Sequence, residues 1–582
     1  MRVGVPGVEP PTESVGLTFE GRPVEGLAGD TLASALVAAG EMGLREAVDG
    51  GRRGVFCGMG ACHECAVVVD DQPGTLACMT SVEDGQEVKR QPAAPGPPDV
   101  SPGGRPRREL SPTVLVVGGG PGGLSVASVI AEHGVDVVVV DERSKLGGQF
   151  YKQPPPERAI DDSRIDSQYR AGRKLIARAQ EAGVGFLNGV TLWGAFAPDS
   201  LAARSEDCDW VLRPGRLVLA TGAHERPVPI RGWTLPGVMT TGAAQTLLRS
   251  SQVAPGERVM LSGNGPLNMQ VAAELVRAGV EVVALAEQAD LRWWRNLGTG
   301  AGLLAAAPEL VAKGFSYRTT LVQARVPVID RASVVEIRGD QRAEAAVVAR
   351  LDASGNPLPG TEREFAADAV CLGYGFIPAN EISRALGCDH RYDPVAGTLV
   401  AVRTATGRTS LDPVWVVGDA GGINGAYVAT TLGAIAGADV LADLGAASSD
   451  RLTRAVSRAR KTLGRHRRFQ HHLRGLYQAE PLTTQLAHDA TLVCRCESVT
   501  LGELREALAG GATSAGAAKR LTRAGMGKCQ GRYCSPSVLA LATEASGVPP
   551  GEFSGFAPQA PIRPVAIGEV AATSLEVSTA AP

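Results

Sequence analysis

The sequence has no uncharged apolar run that reaches the roughly 18 residues of a transmembrane helix. The nearest stretch, residues 424–444, is interrupted by Asp439 and Asp443. Residues 1–19 lack the apolar segment of a secretory signal. A net charge of −3 gives no basic excess with which to bind nucleic acid. In a chain of 582 residues, too long for one hydrophobic core, these absences predict a cytoplasmic enzyme of several domains.

Cysteine is the residue type whose pattern is most informative. Eleven cysteines without a secretory signal indicate a reducing compartment, and metal or redox roles rather than disulfides. Eight of the eleven form two quartets, one toward each end of the chain. The other three are isolated, and we expect each to be a small buried hydrophobic side chain: Cys208, Cys371 and Cys388.

The first quartet has the spacing C-x4-C-x2-C-x12-C. This is the plant-type 2Fe–2S pattern, whereas structural zinc sites usually combine two close pairs of ligands. Gly58, Gly60 and Ala61 keep the loop free of side-chain bulk. The segment resembles the plant-type ferredoxin-like domains of molybdenum hydroxylases and amine dehydrogenase complexes. We therefore predict a 2Fe–2S cluster, in preference to zinc, on Cys57, Cys62, Cys65 and Cys78.

The second quartet, C-x-C followed by C-x4-C, is unlike the common zinc fingers. Thr500 is the expected N-cap of a helix over Leu501–Ala509 between the two halves of the quartet. The arrangement resembles the bacterioferritin-associated-ferredoxin-like 2Fe–2S module. The resemblance implies a second cluster, again in preference to zinc, on Cys494, Cys496, Cys529 and Cys534.

Between the quartets, a buried strand at Val114–Val117 leads into a G-x-G-x-x-G signature and a helical run. Such glycines let the backbone approach a pyrophosphate at a helix N-terminus. The next strand ends in Asp141 and Glu142, about 20 residues on, where a ribose ligand is expected. The signature predicts a dinucleotide site at Gly118, Gly120 and Gly123.

Three further segments resemble two-dinucleotide-binding flavoproteins. Glu142 with Gly147 and Gly148 is similar to their ExxxxGG extension, so Glu142 is the expected ribose ligand and Asp141 a solvated neighbour. The other two are similar to the ATG and GD motifs, in which the aspartate holds the ribityl chain. The resemblance implies FAD, with binding residues that also include Gly148, Gln149, Thr221, Gly222, Gly418 and Asp419.

A second strand–turn–helix signature begins at Arg258, but Asn268 replaces its third glycine. Glu287, at the end of the following strand, favours a free 2′-hydroxyl, which predicts NAD rather than NADP. Two alternatives stay open: a site for another adenine nucleotide, or a fold that keeps its shape without hydride exchange. The expected ligands are Gly263, Gly265 and Glu287.

The reactive cysteine pair of disulfide reductases with this fold is missing, because Gly148 leads into Gln149-Phe-Tyr-Lys. Electrons from the flavin must therefore leave by another route. No motif identifies a substrate site, and the catalytic residues stay unassigned. His224 and Glu225 are a candidate acid/base pair, but we favour a position on a surface loop.

These features predict a multidomain α/β protein with seven segments. A ferredoxin-like β-grasp module (residues 1–91) has strands at 17–19, 66–69 and 87–89 and a helix at 31–39 capped by Asp30. A linker (92–111) precedes an FAD domain (112–238 and 367–445) with an inserted NAD-type domain (239–366). A helical connector (446–490), the second 2Fe–2S module (491–545) and a tail (546–582) follow. From residue 556 on, the tail is expected to be flexible or an extended arm over another surface.

This order of modules resembles the electron-transfer (alpha) subunits of the hydrogen cyanide synthase, opine oxidase and D-hydroxyproline dehydrogenase group, related to the sarcosine oxidase alpha subunit. In that group the ferredoxin module is often a separate subunit, whereas here it is fused in front. The resemblance implies an amino-acid-oxidase-like flavoprotein partner that oxidises a C–N bond. It leaves open whether FMN binds at the subunit interface.

The resemblance implies a subunit that relays electrons from an amino-acid or imino-acid dehydrogenating partner to an acceptor that the sequence does not identify. Two other functions stay open. One is a self-contained NADH-dependent flavoprotein reductase that feeds a separate acceptor. The other is a non-catalytic iron–sulfur carrier or sensor on a flavoprotein scaffold.

Overall fold

The fold is taken from a computed structural model that describes residues 1–96, 105–292, 297–446 and 449–572. Within those ranges, no helix combines the length and apolarity that crossing a bilayer requires. The apolar stretch at 424–444 becomes the helix Ala426–Asp443, which packs on the helix Pro121–Ala131. Asp439 and Asp443, which interrupt its apolar sequence, bind Trp415 and Arg408 respectively.

The N-terminal module is a five-stranded sheet against one helix, and its three predicted strands are confirmed. The helix is Leu32–Ala38 and its N-cap is Thr31, so the predicted cap Asp30 is wrong. The buried Asp30 carboxylate instead accepts hydrogen bonds from Arg2 and Arg158, both at 2.7 Å. The sheet order is Arg22–Leu27, Ser14–Phe19, Glu87–Arg90, Ala66–Val69 and Gln72–Leu76.

The first nucleotide-binding unit has a parallel sheet whose apolar strands are buried between helices. The sheet order is Gly185–Asn188, Val137–Asp141, Val114–Val117, Arg216–Leu219 and Val414–Val416. A second sheet contains Thr191–Ala197, Ser200–Arg204, Asp209–Leu212 and Arg107–Leu110. The last of these strands falls in the predicted linker, which is therefore not structureless throughout; residues 97–104 of the linker lie outside the described ranges.

The second nucleotide-binding unit also has a parallel sheet, ordered Val238–Thr240, Ala369–Gly373, Arg258–Gly263, Glu281–Glu287 and Val328–Asp330. The strand Ala369–Gly373 pairs with both neighbours here, so the expected return to the FAD domain at residue 367 is too early. A three-stranded sheet is attached to this unit: Ala332–Arg338, Ala345–Arg350 and Arg363–Ala366. The helices are Thr241–Ser251, Pro266–Arg277, Leu297–Ala306 and Pro308–Gln323.

The C-terminal third is helical. The connector is dominated by the helix Asp450–Leu476, and the second cysteine module contains Leu501–Ala509, Ala515–Thr522 and Ser535–Ser546. Thr500 forms a capping box with Glu503, as predicted for this N-cap. One further long helix is Ser167–Glu181, and the other elements are short. The short helices are Glu381–Ala385 and Ile567–Ala572, and a 3-10 turn spans Gly418–Gly421. The short strands are Val8–Glu9, Arg45–Glu46, Arg52–Arg53, Ala159–Ile160, Ala223–Glu225, Phe376–Pro378, His390–Asp393, Thr398–Ala401, Leu492–Cys494 and Val499–Thr500.

The modules share a hydrophobic cluster. It contains Phe56 and Cys62 from the ferredoxin-like module, Trp233 and Leu372 from the nucleotide-binding core, and Tyr533 from the second cysteine module. Phe56 makes edge-to-face contacts with both Trp233 and Tyr533, each at 5.6 Å between ring centroids. This shared cluster brings the two cysteine-bearing ends of the chain to the same side of the core.

Candidate functional site

The first quartet lies on a tight loop in which Gly58 and Gly60 take positive φ angles of 59° and 74°. Glycine suits these angles, and a Cβ at Gly58 would lie 3.1 Å from Ala243 of the second nucleotide-binding unit. Three of the four cysteines are buried and Cys78 is half-buried. The Cys57 thiol contacts Cys62, and the Cys65 thiol contacts Cys78, so the four side chains form two pairs.

The second quartet is paired in the same way: Cys494 contacts Cys534, and Cys496 contacts Cys529. A Cβ at Gly527 would lie 2.3 Å from the Cys496 Cβ, so glycine is needed for this loop to approach Cys496 so closely. Among the described residues, no group of three or more Cys, His, Asp or Glu side chains is arranged to hold a single metal ion. Two pairs of thiols fit a two-iron cluster, in which each iron takes two of the four cysteine ligands.

The two quartets are neighbours across a small cavity. Cys62 and Glu64 line it on one side, and the second quartet with Arg495 and Tyr533 lines it on the other. Arg495, between Cys494 and Cys496, donates to the Glu64 carboxylate at 3.1 and 3.2 Å. This adjacency was not predicted from the sequence, because a contact across 431 positions leaves no local signal.

Glu64 is almost fully buried and accepts from Arg45 at 2.6 Å in addition to Arg495. Burial opposes ionisation, but Arg495 and Arg45 outweigh it and hold the pKa of Glu64 below its usual value. The Arg495 guanidinium also lies over the rings of Phe56 and Trp233, at 4.1 and 4.7 Å from their centroids. The joint between the quartets is therefore both ionic and aromatic.

A cavity of about 1490 Å³ is lined by residues of both glycine signatures, among them Gly118, Gly120 and Gly265. In the first signature, a Cβ at Gly123 would lie 1.9 Å from the Gly118 carbonyl oxygen, and one at Gly118 would lie 2.4 Å from that of Ala220. A Cβ at Gly148 would lie 2.8 Å from the Gly120 Cα. These approaches require glycine and leave room for a pyrophosphate, so the residues fit a dinucleotide. The cavity is large enough for FAD and extends to Cys57 of the first quartet.

Glu142, the expected ribose ligand, lines this cavity. Its carboxylate forms an ion pair with Arg563 from the tail, at 2.8 Å. Asp141 is buried rather than solvated, so that prediction is wrong: its carboxylate accepts from the backbone N–H groups of Gly119 and Arg143, at 2.6 and 2.8 Å. Burial raises the pKa of Asp141 to about 6. Asp141 thus stabilises the glycine loop through a buried hydrogen bond to its backbone.

The other expected FAD residues line the same cavity, except Gly123, which packs against the Gly118 carbonyl beneath it. The Thr221 hydroxyl donates to the Ala379 carbonyl at 2.5 Å. The Asp419 carboxylate accepts from the backbone N–H groups of Asn424 and Gly425, at 2.8 and 2.9 Å, just before the helix Ala426–Asp443. The lining residues predicted from the sequence are Gly118, Gly120, Glu142, Gly148, Gln149, Thr221, Gly222, Gly418 and Asp419.

His224 and Glu225 are buried and do not lie on a surface loop, so that expectation is wrong. They lie in the short strand Ala223–Glu225, which packs between the flavin-type cavity and the cysteine modules. Both Glu225 carboxylate oxygens accept from the Gly242 N–H, at 3.0 and 2.9 Å. Burial raises the pKa of Glu225 to about 7 and lowers that of His224 to about 4.

Lys152 and Gln245 also line the cavity, and neither was predicted from the sequence. The Lys152 ammonium is buried and donates to the Gln245 side-chain oxygen at 2.9 Å. Burial lowers the pKa of Lys152 to about 7. Its position four residues after Gly148 carries no motif that would have marked it.

The second signature opens into the same cavity through Asn264, Gly265 and Gln288. Asn268, in place of the third glycine, bridges helix and strand: its Nδ2 donates to the Gly373 carbonyl and its Oδ1 accepts from Thr241, both at 2.8 Å. A side-chain bridge therefore replaces the close backbone packing of the usual fingerprint.

Glu287 is buried behind this glycine loop, where it accepts from the Gly265 N–H at 3.2 Å and the Ala289 N–H at 3.1 Å. Burial raises the pKa of Glu287 to about 8. The connector covers this end of the cavity, with the Gln288 side chain donating to the Glu480 carbonyl. No motif in the connector indicates this position.

Comparison with protein-family models gives three matches. A 2Fe-2S iron-sulfur cluster binding domain matches residues 12–93, a pyridine nucleotide-disulphide oxidoreductase matches residues 112–433, and a BFD-like [2Fe-2S] binding domain matches residues 492–544. These matches confirm the predicted fold class: two iron–sulfur modules on either side of a two-dinucleotide core. They also confirm FAD and two 2Fe–2S clusters as cofactors.

One opine oxidase subunit, from Rhizobium meliloti (strain 1021), is 33% identical over 470 residues, which cover 78% of this chain and 98% of that protein. HcnB, a hydrogen cyanide synthase subunit of Pseudomonas aeruginosa, is 32% identical, covering 72% and 90%. The crystal structure of L-proline dehydrogenase from P. horikoshii has the same fold, with a TM-score of 0.71, 21% identity and coverage of 96% and 97%. The chain therefore belongs to the pyridine nucleotide-disulphide oxidoreductase family, among the relatives of this opine oxidase subunit and of HcnB, as an oxidoreductase with FAD and two 2Fe–2S clusters.

Proposed function

We propose that this chain is the electron-transferring subunit of a heteromeric dehydrogenase that acts on an amino acid or imino acid. The observation that carries the proposal is the order of the sites. Cys57 lines the flavin cavity, whereas Cys62, a ligand in the same quartet, faces the second quartet. The first quartet therefore touches both the flavin cavity and the second quartet, which supports a path for electrons through the first cluster.

We assign the cofactors to the residues that line their sites. The thiolates of the two quartets hold the clusters, and the glycine loops hold the pyrophosphates at helix N-termini. Bound FAD supplies the exchange between two-electron and one-electron chemistry. The proposed FAD residues are Gly118, Gly120, Gly123, Glu142, Gly148, Gln149, Thr221, Gly222, Gly418 and Asp419, and those for NAD or another adenine nucleotide are Gly263, Gly265 and Glu287.

The free cysteines support this path. All eleven are unpaired by disulfides, and the three outside the quartets are buried at separate positions: Cys208, Cys371 and Cys388. Burial raises the pKa of the Cys371 thiol, which keeps it in the unreactive neutral form. Electrons therefore have no dithiol to reduce. We also propose a cytoplasmic location, since eight of the eleven cysteines are assigned to clusters rather than to disulfides.

The partner is proposed from the relatives. The opine oxidase and hydrogen cyanide synthase relatives are both subunits of larger enzymes, which act on an opine or produce hydrogen cyanide. We propose that the partner is an amino-acid-oxidase-like flavoprotein, which oxidises the C–N bond. An FMN at the interface between the two subunits is part of the same proposal.

A second function has one observation in its favour. Both glycine signatures open into one continuous cavity, so a nicotinamide nucleotide bound at Gly265 would share a space with the flavin. A self-contained NADH-dependent reductase would use that arrangement. Rapid reduction of an artificial dye by the isolated chain with NADH would support this function over the relay.

The relay is tested by counting cofactors and following their reduction. We expect about four irons and four sulfides per chain, two of each for each cluster, together with one flavin. When substrate is added to the chain in complex with its partner, both clusters should become reduced, as seen by electron paramagnetic resonance. Stoichiometric zinc with iron near zero would contradict the proposal. Clusters that stay oxidised while the partner's flavin is reduced would contradict it equally.

A further inference from the structure

The segment after the second cysteine module forms an arm that is fixed to the FAD-binding unit. Phe556 is buried against the second cysteine module, and its carbonyl accepts from Arg384 at 2.7 Å. Ile562 is buried among residues of the FAD-binding unit, and its N–H donates to the Trp193 carbonyl at 2.7 Å. Of the two alternatives for the tail, the described residues support the extended arm; residues 573–582 lie outside them.

Arg532 fixes the position of the arm at the cavity. Its guanidinium donates to the Ile562 carbonyl at 3.0 Å and forms an ion pair with Glu381 at 2.7 Å. Arg532, Glu381, Ile562 and Arg563 all line the large cavity beside Glu142. The arm therefore contributes a wall of the flavin site, although residues 556–563 lie far outside the matched flavoprotein segment 112–433.

Arg563 is the charged residue that the arm brings to this wall. Its Nη2 donates to both oxygens of Glu142, at 2.8 and 3.2 Å. Its Nη1 is buried and has no hydrogen-bond partner among the described residues. A buried guanidinium nitrogen without an acceptor is unfavourable, so an acceptor atom of a ligand bound in the adjoining cavity would stabilise it.

We propose that Arg563 is an FAD-binding residue: Glu142 orients its guanidinium, and its Nη1 donates to an acceptor oxygen in the adenosine half of the cofactor. The position follows from Glu142, which binds the ribose of that half in our assignment. Arginine suits the role because its planar fork can serve a carboxylate with one nitrogen and a ligand with another. The inference rests on FAD binding and not on the relay, so the two can fail separately.

Arg563→Lys in the full-length chain is the sharpest test. Lysine keeps a charge that can pair with Glu142 but lacks the second nitrogen. We expect the dissociation constant for FAD, measured by flavin fluorescence on the apoprotein, to rise about tenfold to hundredfold. The thermal midpoint of the apoprotein should stay that of the parent chain. FAD binding unchanged or tightened by Arg563→Lys would overturn the proposal.

Two further variants separate binding from stability. Arg178→Gln breaks a surface ion pair with Glu132 at 2.7 Å, and neither residue lines the cavity, so FAD binding should stay unchanged. Arg563→Gln should weaken FAD binding at least as much as Arg563→Lys. If Arg563→Gln lowers the apoprotein midpoint and leaves FAD affinity intact, then Arg563 only fastens the arm and the proposal is wrong.

Discussion

Arg495 and Glu64 form a buried ion pair, with Nη2 and Oε2 3.1 Å apart, that joins the loops of the two cysteine quartets. Each residue lies between two cysteines of its own quartet: Glu64 between Cys62 and Cys65, and Arg495 between Cys494 and Cys496. Arg495 also donates to the Trp233 carbonyl at 2.6 Å, which ties the joint to the nucleotide-binding core. This ion pair, together with the aromatic contacts of Phe56, holds the two cluster sites next to each other.

Glu64→Gln should destabilise this joint strongly. The substitution leaves Arg45 and Arg495 buried without their counter-charge, and breaking a buried ion pair from one side costs about 3–5 kcal/mol. Thermal unfolding should show a clear loss in the midpoint of the transition. The exposed pair Glu109–Arg213 provides the control, since Glu109→Gln should cost less than about 1 kcal/mol. Equal effects of the two substitutions would contradict a structural role for the joint.

Cys496→Ser should remove the second cluster and leave the first in place. We expect the iron content to fall from about four to about two per chain, with the signal of one cluster lost in electron paramagnetic resonance. Cys371→Ser is the control, because Cys371 is a buried cysteine that belongs to neither quartet. Loss of iron from Cys371→Ser, or full retention in Cys496→Ser, would show that the ligands are assigned wrongly.

Glu287 should make stability depend on pH. Burial raises its pKa in the folded chain from the ordinary 4.5 to about 8, so the folded state holds this proton more tightly than the unfolded state does. The contribution of protonated Glu287 to stability is therefore complete below about pH 4.5. It falls by about 1.4 kcal/mol per pH unit as the pH rises toward 8.

Glu287→Gln, which mimics the neutral carboxyl, should accordingly raise the thermal midpoint at pH 8 and change it little at pH 5. The exposed Glu281 begins the same strand, and Glu281→Gln should be neutral at both values. A midpoint that Glu287→Gln lowers at pH 8 would mean that the carboxylate is stabilised in the folded chain.

Asn268→Gly would restore the usual glycine fingerprint, yet we expect it to destabilise the chain. It removes the bonds to the Gly373 carbonyl and to Thr241, and it places glycine in a helix. The expected cost is about 2–4 kcal/mol in the free energy of unfolding. Asn268→Ala isolates the hydrogen bonds, since alanine favours the helix, and should retain most of the loss. Stabilisation by either variant would refute the bridging role.

Gly123→Ala should impair FAD retention, because the added Cβ would lie 1.9 Å from the Gly118 carbonyl oxygen and push the helix off the strand. Such overpacking costs about 1–3 kcal/mol. Gly298→Ala is the control: it lies in the helix Leu297–Ala306 with open space around it and should be neutral or mildly stabilising. Flavin content per purified chain is the measurement, and equal content in the two variants would contradict the prediction.

Local features of the sequence were sufficient for the modules and the FAD signature. A glycine loop between strand and helix, or a set of cysteines at fixed spacing, is recognisable from residues that are close in sequence. The Thr500 cap was predictable for the same reason. Features that depend on tertiary contacts were not predictable. Asp30 is a residue type that often caps a helix, and only the tertiary structure shows that its carboxylate binds Arg2 and Arg158 instead. His224 and Glu225 resemble loop residues in sequence, but the second cysteine module contacts His224, and the helix that begins at Thr241 contacts Glu225.

The Arg495–Glu64 pair also has a consequence for how the holoprotein is made. Residue 495 leaves the ribosome long after residue 64, so the first quartet is synthesised before the module that covers it. Iron and sulfide must reach that loop from outside, and the docked second module closes the side at Glu64. We expect a time window for maturation: the first site is filled while the chain is still growing or its far end is still undocked.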